Sequence, residues 1–231
     1  MGSGNYNLPV AMFCFEIGYC FQHIGTALLI YKLKKQNSMY GICIDTHICY
    51  LMALIARCAW QFDTQLMSMW FTVFEVFVAL TTQAGLIYTC YQYKDVLYKD
   101  IQFFFLRWWS IGIVSLIMAT LYHPGKKGEF FFTLQMFVSF TIFLEALSLA
   151  PQLVHLELSK DTEGLNSYYL ICLGLARAAR VFFWRAMGGK TSSFWYLMSA
   201  DVLHTILLFV FFYLYRKARR NKSNNILGFD M

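Results

Sequence analysis

The sequence predicts an all-α integral membrane protein of seven transmembrane helices, and three observations carry that prediction. Of 231 residues, 58% are hydrophobic and 14% charged, whereas a water-soluble domain runs at about 45–50% apolar and about 25% charged. The apolar residues gather in seven stretches, 10–31, 40–61, 66–91, 101–122, 130–153, 168–187 and 194–215. Each is near the roughly 20 residues that a helix needs to cross a bilayer. The links between them are short and polar, so neighbouring spans run antiparallel. One seven-helix membrane domain, 1–231, accounts for the whole chain.

The first span is preceded by a stretch with no basic start and no charge before Glu16, which is not the pattern of a secretory signal. Tyr6 stands where an N-myristoylation motif requires Ser or Thr. Orientation follows from the basic residues that flank the spans. Lys32, Lys34, Lys35, Lys94, Lys99, Lys160 and the five of the run from Arg216 to Lys222 fall on one side, against Lys126, Lys127 and Lys190 on the other. The N-terminus is therefore expected in the lumen (or outside) and the basic tail, 216–231, in the cytosol. In an organellar inner membrane the same asymmetry would read matrix-side.

A faint repeat links the second and sixth spans. Segment 51–59 parallels segment 171–179, with Arg57 and Arg177 at matching places. Spans 1–3 (10–91) and 5–7 (130–215) would then be parallel three-helix units joined by span 4 (101–122), a 3+1+3 arrangement.

The residues that could carry chemistry are those that a bilayer tolerates least. An ionised group at mid-membrane costs about 2.5–3.5 kcal/mol on insertion scales. Segment 140–187 nevertheless holds Glu145, Arg177, Arg180 and Arg185. Arg57 and Arg177 read as a cationic pocket for a carboxylate, because guanidinium offers a two-pronged donor fork. The alternative is structural pairing with Glu145, Glu75 or backbone carbonyls. Arg177 and Arg180, three apart, share a helix face, while Arg185 lies near the membrane edge and can reach the interface. Glu145 is expected to pair with an arginine of span 6 or to accept from a tyrosine. Pro151 should bend or end span 5, with Gln152 satisfying the carbonyls freed there. Glu16 and Glu75 read as interior hydrogen-bonding groups, and His23, His47 and His204 as core histidines or pH sensors. Asp201 and His204, three apart, are expected to bond to each other.

Several classes drop out. The seven cysteines all lie in apolar runs without a Cys-x-x-Cys pair, so neither zinc nor a disulfide framework is expected. The sequence holds no Ser/His/Asp set, glycine-rich phosphate loop or His-x-x-x-His pattern, so no catalytic residue, metal or cofactor is expected and the chain does not read as an enzyme. The net charge of +6 belongs to the loops and tail rather than to a nucleic-acid surface, and the tail reads as touching anionic lipid or carrying a sorting signal.

With these residues in place, the chain resembles the ER-lumen-protein retaining receptors (KDEL-type retrieval receptors). The resemblance runs over 141–145 and Pro151-Gln152-Leu153, through Ser159-Lys160, Tyr169-Leu170, 173–175 and Arg177 to Trp184, and returns at 204–207 and 211–215. In the first half it rests on Gly18, Lys32, Gly41-Ile42 and Arg57. Pro151-Gln152 also resembles the wider PQ-loop and SWEET-like superfamily. The resemblance implies a luminal polar cavity among spans 1, 2, 5, 6 and 7, binding of C-terminal retrieval tetrapeptides at acid pH, and Golgi-to-ER return. By it, Arg57 would meet the peptide carboxylate, with Glu145 and Arg177 in the polar network behind. Departures are specific: the family's span 1 arginine falls on Phe15, its pH-sensing histidine on Gln22 with His23 one place along, and its span 6 tyrosine and second arginine on Ala176 and Met187. An aspartate position falls on Trp60. Arg180 or Arg185 could substitute for the missing arginine, with Tyr169 and Trp184 in the network. Losing these ligand residues motivates a second expectation, a structural subunit among neighbours in an organellar membrane complex, such as one of the mitochondrial inner membrane. A SWEET-like small-solute transporter is the third.

Overall fold

The computed structural model describes residues 8–61, 70–94, 103–123, 134–160, 162, 165–187 and 195–226. The beginnings of the predicted third, fourth, fifth and seventh spans lie outside the described residues, as do Lys99, Lys126, Lys127, Lys190, the side chains of Trp60 and Lys222, and 227–231. Seven α-helices stand among the described residues: α1 (Leu8–Gln36), α2 (Ile44–Gln61), α3 (Trp70–Gln92), α4 (Trp108–Leu121), α5 (Leu134–Ser159), α6 (Ser167–Met187) and α7 (Trp195–Ile226).

Four of these, within α1, α3, α5 and α7, are long and apolar enough to cross a bilayer. α6 carries Arg177, Arg180 and Arg185, and α4 has only 14 residues, about 21 Å against a hydrocarbon core of about 30 Å. The side-chain distribution is inverted relative to a water-soluble protein. Arg57, Glu75, Glu145, Arg177, Arg180 and Asp201 are buried, whereas Phe13, Phe77 and Phe209 are 65%, 66% and 70% exposed. Charge inside and aromatic rings outside is the pattern that lipid selects. The chain is an integral membrane protein.

Packing is heaviest between α1 and α6 and between α2 and α5, followed by α5 with α7, α4 with α5 and α1 with α3. Close approach of α1 to α6 depends on small residues. A Cβ on Gly25 would lie 2.9 Å from Cys172 Cβ, and one on Gly18 would lie 3.2 Å from the Ala176 carbonyl oxygen. Without a hydrophobic drive between helices in lipid, such small-residue contacts let backbones gain dispersion contact. The main apolar cluster occupies one half of the bundle, with Leu29 and Leu33 of α1, Leu86 of α3, Leu149 and Leu156 of α5, Leu170 of α6 and Phe211 of α7. The other half holds the charges.

Four helix boundaries correct the sequence expectations. The second helix begins at Ile44, not 40, because the chain turns at Gly41 with φ 83°, a left-handed conformation that suits glycine. Pro151 does not end the fifth helix, which continues to Ser159; Leu153 and Leu156 beyond it are buried in the main cluster and hold the last turns in place. Gln152 does not serve carbonyls of its own helix. Its amide spans the α1–α2 turn, Nε2 donating to Gly41 O at 2.7 Å and Oε1 accepting from Cys43 N at 2.8 Å. The fourth helix starts at Trp108 after a 3₁₀ turn, Phe104–Leu106, and an extended Arg107. Trp108 N there donates to Asp45 Oδ1 of α2 at 3.1 Å, a carboxylate at a helix N-terminus. The seventh helix runs past 215, so the basic tail residues Arg216 to Arg220 ride on α7.

Candidate ligand site

Each helix that contributes charge does so from one face. Glu16, Tyr19 and His23 of α1 are spaced i, i+3, i+7, as are Arg177, Arg180 and Trp184 of α6, and Asp201 and His204 of α7 are spaced i, i+3. At 3.6 residues per turn these spacings stack side chains in one stripe. The stripes meet Arg57 of α2, Glu75 of α3 and Glu145 of α5 in the interior.

The first centre is Arg57. Its Nη1 and Nη2 lie 3.0 and 2.5 Å from Glu75 Oε1 and Oε2, a bidentate pair. Glu16 Oε2 is a further 3.5 Å from Nη2, and the guanidinium carbon sits 3.5 Å from the centre of the Tyr19 ring, a cation–π contact. Glu75 is shared: His23 Nε2 stands 2.6 Å from its Oε1.

The second centre is Glu145. Tyr19 Oη donates to Oε1 at 3.0 Å, and Arg180 Nη2 donates to Oε2 at 2.9 Å and to Tyr19 Oη at 2.8 Å. Arg177 Nη2 is 3.7 Å from the same Oε2. Arg177 turns its other nitrogen to Asp201 Oδ1 at 3.1 Å, and Trp184 Nε1 donates to Asp201 Oδ2 at 2.7 Å. Tyr19 joins the two centres, lying against Arg57 through its face and against Glu145 and Arg180 through its hydroxyl. Glu16, Glu75, Glu145 and Asp201 face Arg57, Arg177 and Arg180. Four acids thus face three guanidiniums.

Two groups in the cluster have donor or acceptor capacity to spare among the described residues. Arg180 Nη1 is buried without a hydrogen-bond partner, and so are both carboxylate oxygens of Glu16. Both side chains line a cavity of about 190 Å³ between α1, α5, α6 and α7, whose walls are mostly apolar, with Phe15, Ile142, Trp184 and Met187 among them and Tyr19 and Thr141 beside them.

The model of the family described as ER lumen protein retaining receptor matches residues 38–187. The chain belongs to that family. An ER lumen protein-retaining receptor of Dictyostelium discoideum is 29% identical over 206 residues, covering 85% of this chain and 90% of the relative. One from Entamoeba histolytica is 27% identical over 86% of this chain and 90% of its own length, and one from Saccharomyces cerevisiae is 26% identical over 81% and 86%. The matched segment includes Arg57, Glu75, Glu145, Arg177 and Arg180. The α1 stripe and Asp201 lie outside it.

Most of the residues singled out in the sequence come together. Arg57, Glu145, Arg177, Arg180, His23 and Trp184 all join the cluster, and Glu145 has both of its anticipated partners, an arginine of α6 and a tyrosine. Arg185 is exposed near the end of α6. Tyr169 is buried instead in the main apolar cluster, and Gln22 is buried beside His23, with its carbonyl accepting from Thr26 Oγ1 at 3.0 Å. Asp201 and His204 do not bond to each other: Asp201 is held by Arg177 and Trp184, and His204 Nε2 lies 3.4 Å from Tyr50 Oη. One helical turn separates the two side chains along α7, and stronger partners face each. Tyr19, at the junction of both centres, was not singled out. Its signal was its place midway between Glu16 and His23 in an i, i+3, i+7 series.

Proposed function

We propose that this chain is a retrieval-type receptor of the ER–Golgi membrane system that binds the C-terminal carboxylate of a peptide in the cavity between α1, α5, α6 and α7, with Arg180 as the group that meets it. The observation that carries this reading is the buried Nη1 of Arg180, without a hydrogen-bond partner among the described residues, on a mostly apolar cavity that Glu16 also lines. A buried donor left unmade costs about 1–3 kcal/mol, which a ligand oxygen recovers. Arg57, the position that the resemblance assigns to the carboxylate, already holds the two oxygens of Glu75. The names of the relatives support the compartment and the ligand class.

The cavity walls modify the expected ligand. By the resemblance, Phe15 and Met187 fall on two family arginines, and both line the cavity, so acidic residues upstream of the carboxylate would find fewer cations. About 190 Å³ is somewhat more than the ~150 Å³ that accommodates a benzene ring, enough for one apolar terminal side chain. The preferred ligand is therefore a peptide ending in an apolar residue with a free carboxylate, with little demand for acidic neighbours. His23, whose Nε2 stands 2.6 Å from Glu75 Oε1, is the imidazole of the cluster, and the resemblance to the family is what implies tighter binding at acid pH. The packing of α1 on α6 and of α2 on α5, with α1–α3 matched by α5–α7, supports a 3+1+3 arrangement of two three-helix units; the excess of flanking basic residues on one side supports a luminal N-terminus and a cytosolic basic end of α7.

The test is saturable binding of synthetic peptides to the purified protein at acid and neutral pH. One set ends in KDEL or HDEL, and a second replaces the acidic residues by serine. Tighter binding at acid pH with similar affinity for both sets is expected; no saturable binding at either pH sinks the proposal. A second reading, a structural subunit of a membrane complex, is favoured by the closed pairing of Arg57 with Glu75 and of Arg177 with Asp201. It predicts a stoichiometric partner on native purification.

A further inference from the structure

A second arginine cluster lies at the opposite end of the same two helices. Phe212, Tyr215, Arg216, Arg219 and Arg220 are spaced i, i+3, i+4, i+7, i+8 on α7, and Ser167, Leu170 and Ile171 are spaced i, i+3, i+4 on α6. Each set forms one helix face, and the two enclose a slot of about 500 Å³. The slot has two kinds of wall. Leu170, Ile171 and Phe212 make one side apolar, and Ile171 is 52% exposed. The other side carries the three arginines. Its polar side chains are already aligned, with Ser167 Oγ 2.9 Å from Tyr215 Oη and accepting from Arg219 Nη1 at 3.2 Å. None of the three guanidiniums has a carboxylate partner among the described residues.

We infer that this slot binds an anionic phospholipid, its phosphate on Arg216, Arg219 and Arg220 and the start of an acyl chain along Leu170, Ile171 and Phe212. Three arguments select a lipid over a free anion or an acidic protein. The slot is amphipathic, matching a charged head joined to an apolar chain. It lies where the apolar stretch of α7 gives way to its basic end, at the depth of the headgroups. Basic pockets between transmembrane helices on the positively charged side recognise lipid phosphates in this way, and guanidinium forks suit phosphate oxygens. Lys217 is an internal control: it is exposed and one residue from Arg216, but it is not part of the slot.

The experiment uses the full chain in detergent micelles, with phosphatidic acid diluted into phosphatidylcholine and bound lipid counted by native mass spectrometry. Phosphatidic acid is expected to be retained over phosphatidylcholine. Arg219→Gln should weaken that retention about tenfold, and Lys217→Gln, the same change in charge, less than about twofold. Ile171→Asp should also release the lipid while leaving the arginines intact. Equal losses for Arg219→Gln and Lys217→Gln would overturn the proposal in favour of general surface charge. Displacement by inorganic phosphate as effective as by phosphatidic acid would overturn the lipid assignment in favour of a free anion.

Discussion

Helices α6 and α7 each bear two sets of polar residues, and the sets obey opposite rules. At one end, Arg177 and Arg180 are buried, and their nitrogens meet Glu145, Asp201 and Tyr19 at 2.8–3.1 Å. At the other, Arg216, Arg219 and Arg220 are exposed on a slot with no acidic wall. Fifteen residues of α7, from Asp201 to Arg216, separate the two by about 22 Å. The same residue type is therefore used in one place as an interior strut and in the other as a surface receptor. What differs is desolvation. A guanidinium away from water must be matched by acids before any ligand arrives, whereas one at the headgroup level can wait for its anion. Among the described residues, the spare nitrogen of Arg180 breaks the rule in the interior.

The largest expected effect lies in the buried set. Glu75→Ala would leave Arg57 with its bidentate partner gone and should cost about 3–5 kcal/mol, read as a fall in thermal unfolding temperature in detergent. Arg219→Gln should move the same readout by less than about 0.5 kcal/mol. Equal effects would erase the distinction between the two ends.

Next comes the contact that brings the two halves of the buried cluster together. Gly25→Leu places a side chain where even a Cβ meets Cys172 at 2.9 Å. It should cost about 1–3 kcal/mol through overpacking and separate Tyr19 from Arg180, so that peptide binding falls along with stability. A variant that folds and binds normally would mean that the α1–α6 approach is looser than the geometry indicates.

Gln152→Ala removes two hydrogen bonds from the α1–α2 turn, at Gly41 O and Cys43 N, for an expected loss of about 1–3 kcal/mol. This turn belongs to the apolar half, so the variant should lose stability while retaining its ligand preference. A shift in pH response would contradict that separation. The pH response itself sharpens the comparison with the smallest free-energy change. His23→Ala removes the ring that stands 2.6 Å from Glu75 Oε1 and should flatten the difference between acid and neutral binding that the family resemblance implies; an unchanged profile would move the sensor elsewhere.

Much of the interior was legible before the fold. An acid and several arginines in apolar runs have few options in lipid, and Glu145 duly meets Arg177, Arg180 and a tyrosine. The helices were legible from apolar run length, but several of their ends were not, being set by the turn at Gly41, by burial beyond Pro151 and, for α4, by Asp45 of another helix. Pro151 was over-read because local backbone chemistry suggests a stop, while the burial of Leu153 and Leu156 continues the helix. The partner of Arg57 could be named only as one of three options, since α3 approaches α2 by tertiary packing that no local spacing reveals. The sequence marked the tail as touching anionic lipid or carrying a sorting signal, but it could not show a slot. Only when α7 continues as a helix do its arginines share a face and turn toward α6.

The most direct measurement compares one peptide with a free and an amidated C-terminus against the wild-type protein and Arg180→Lys. The lysine variant keeps a positive charge beside Glu145 but loses the unpartnered second nitrogen, Nη1. The account predicts that the free carboxylate binds wild type at acid pH, and that amidation or Arg180→Lys each weakens binding about tenfold or more without a matching loss of thermal stability. Equal affinity for the free and amidated peptides, or full binding by the lysine variant, would contradict it.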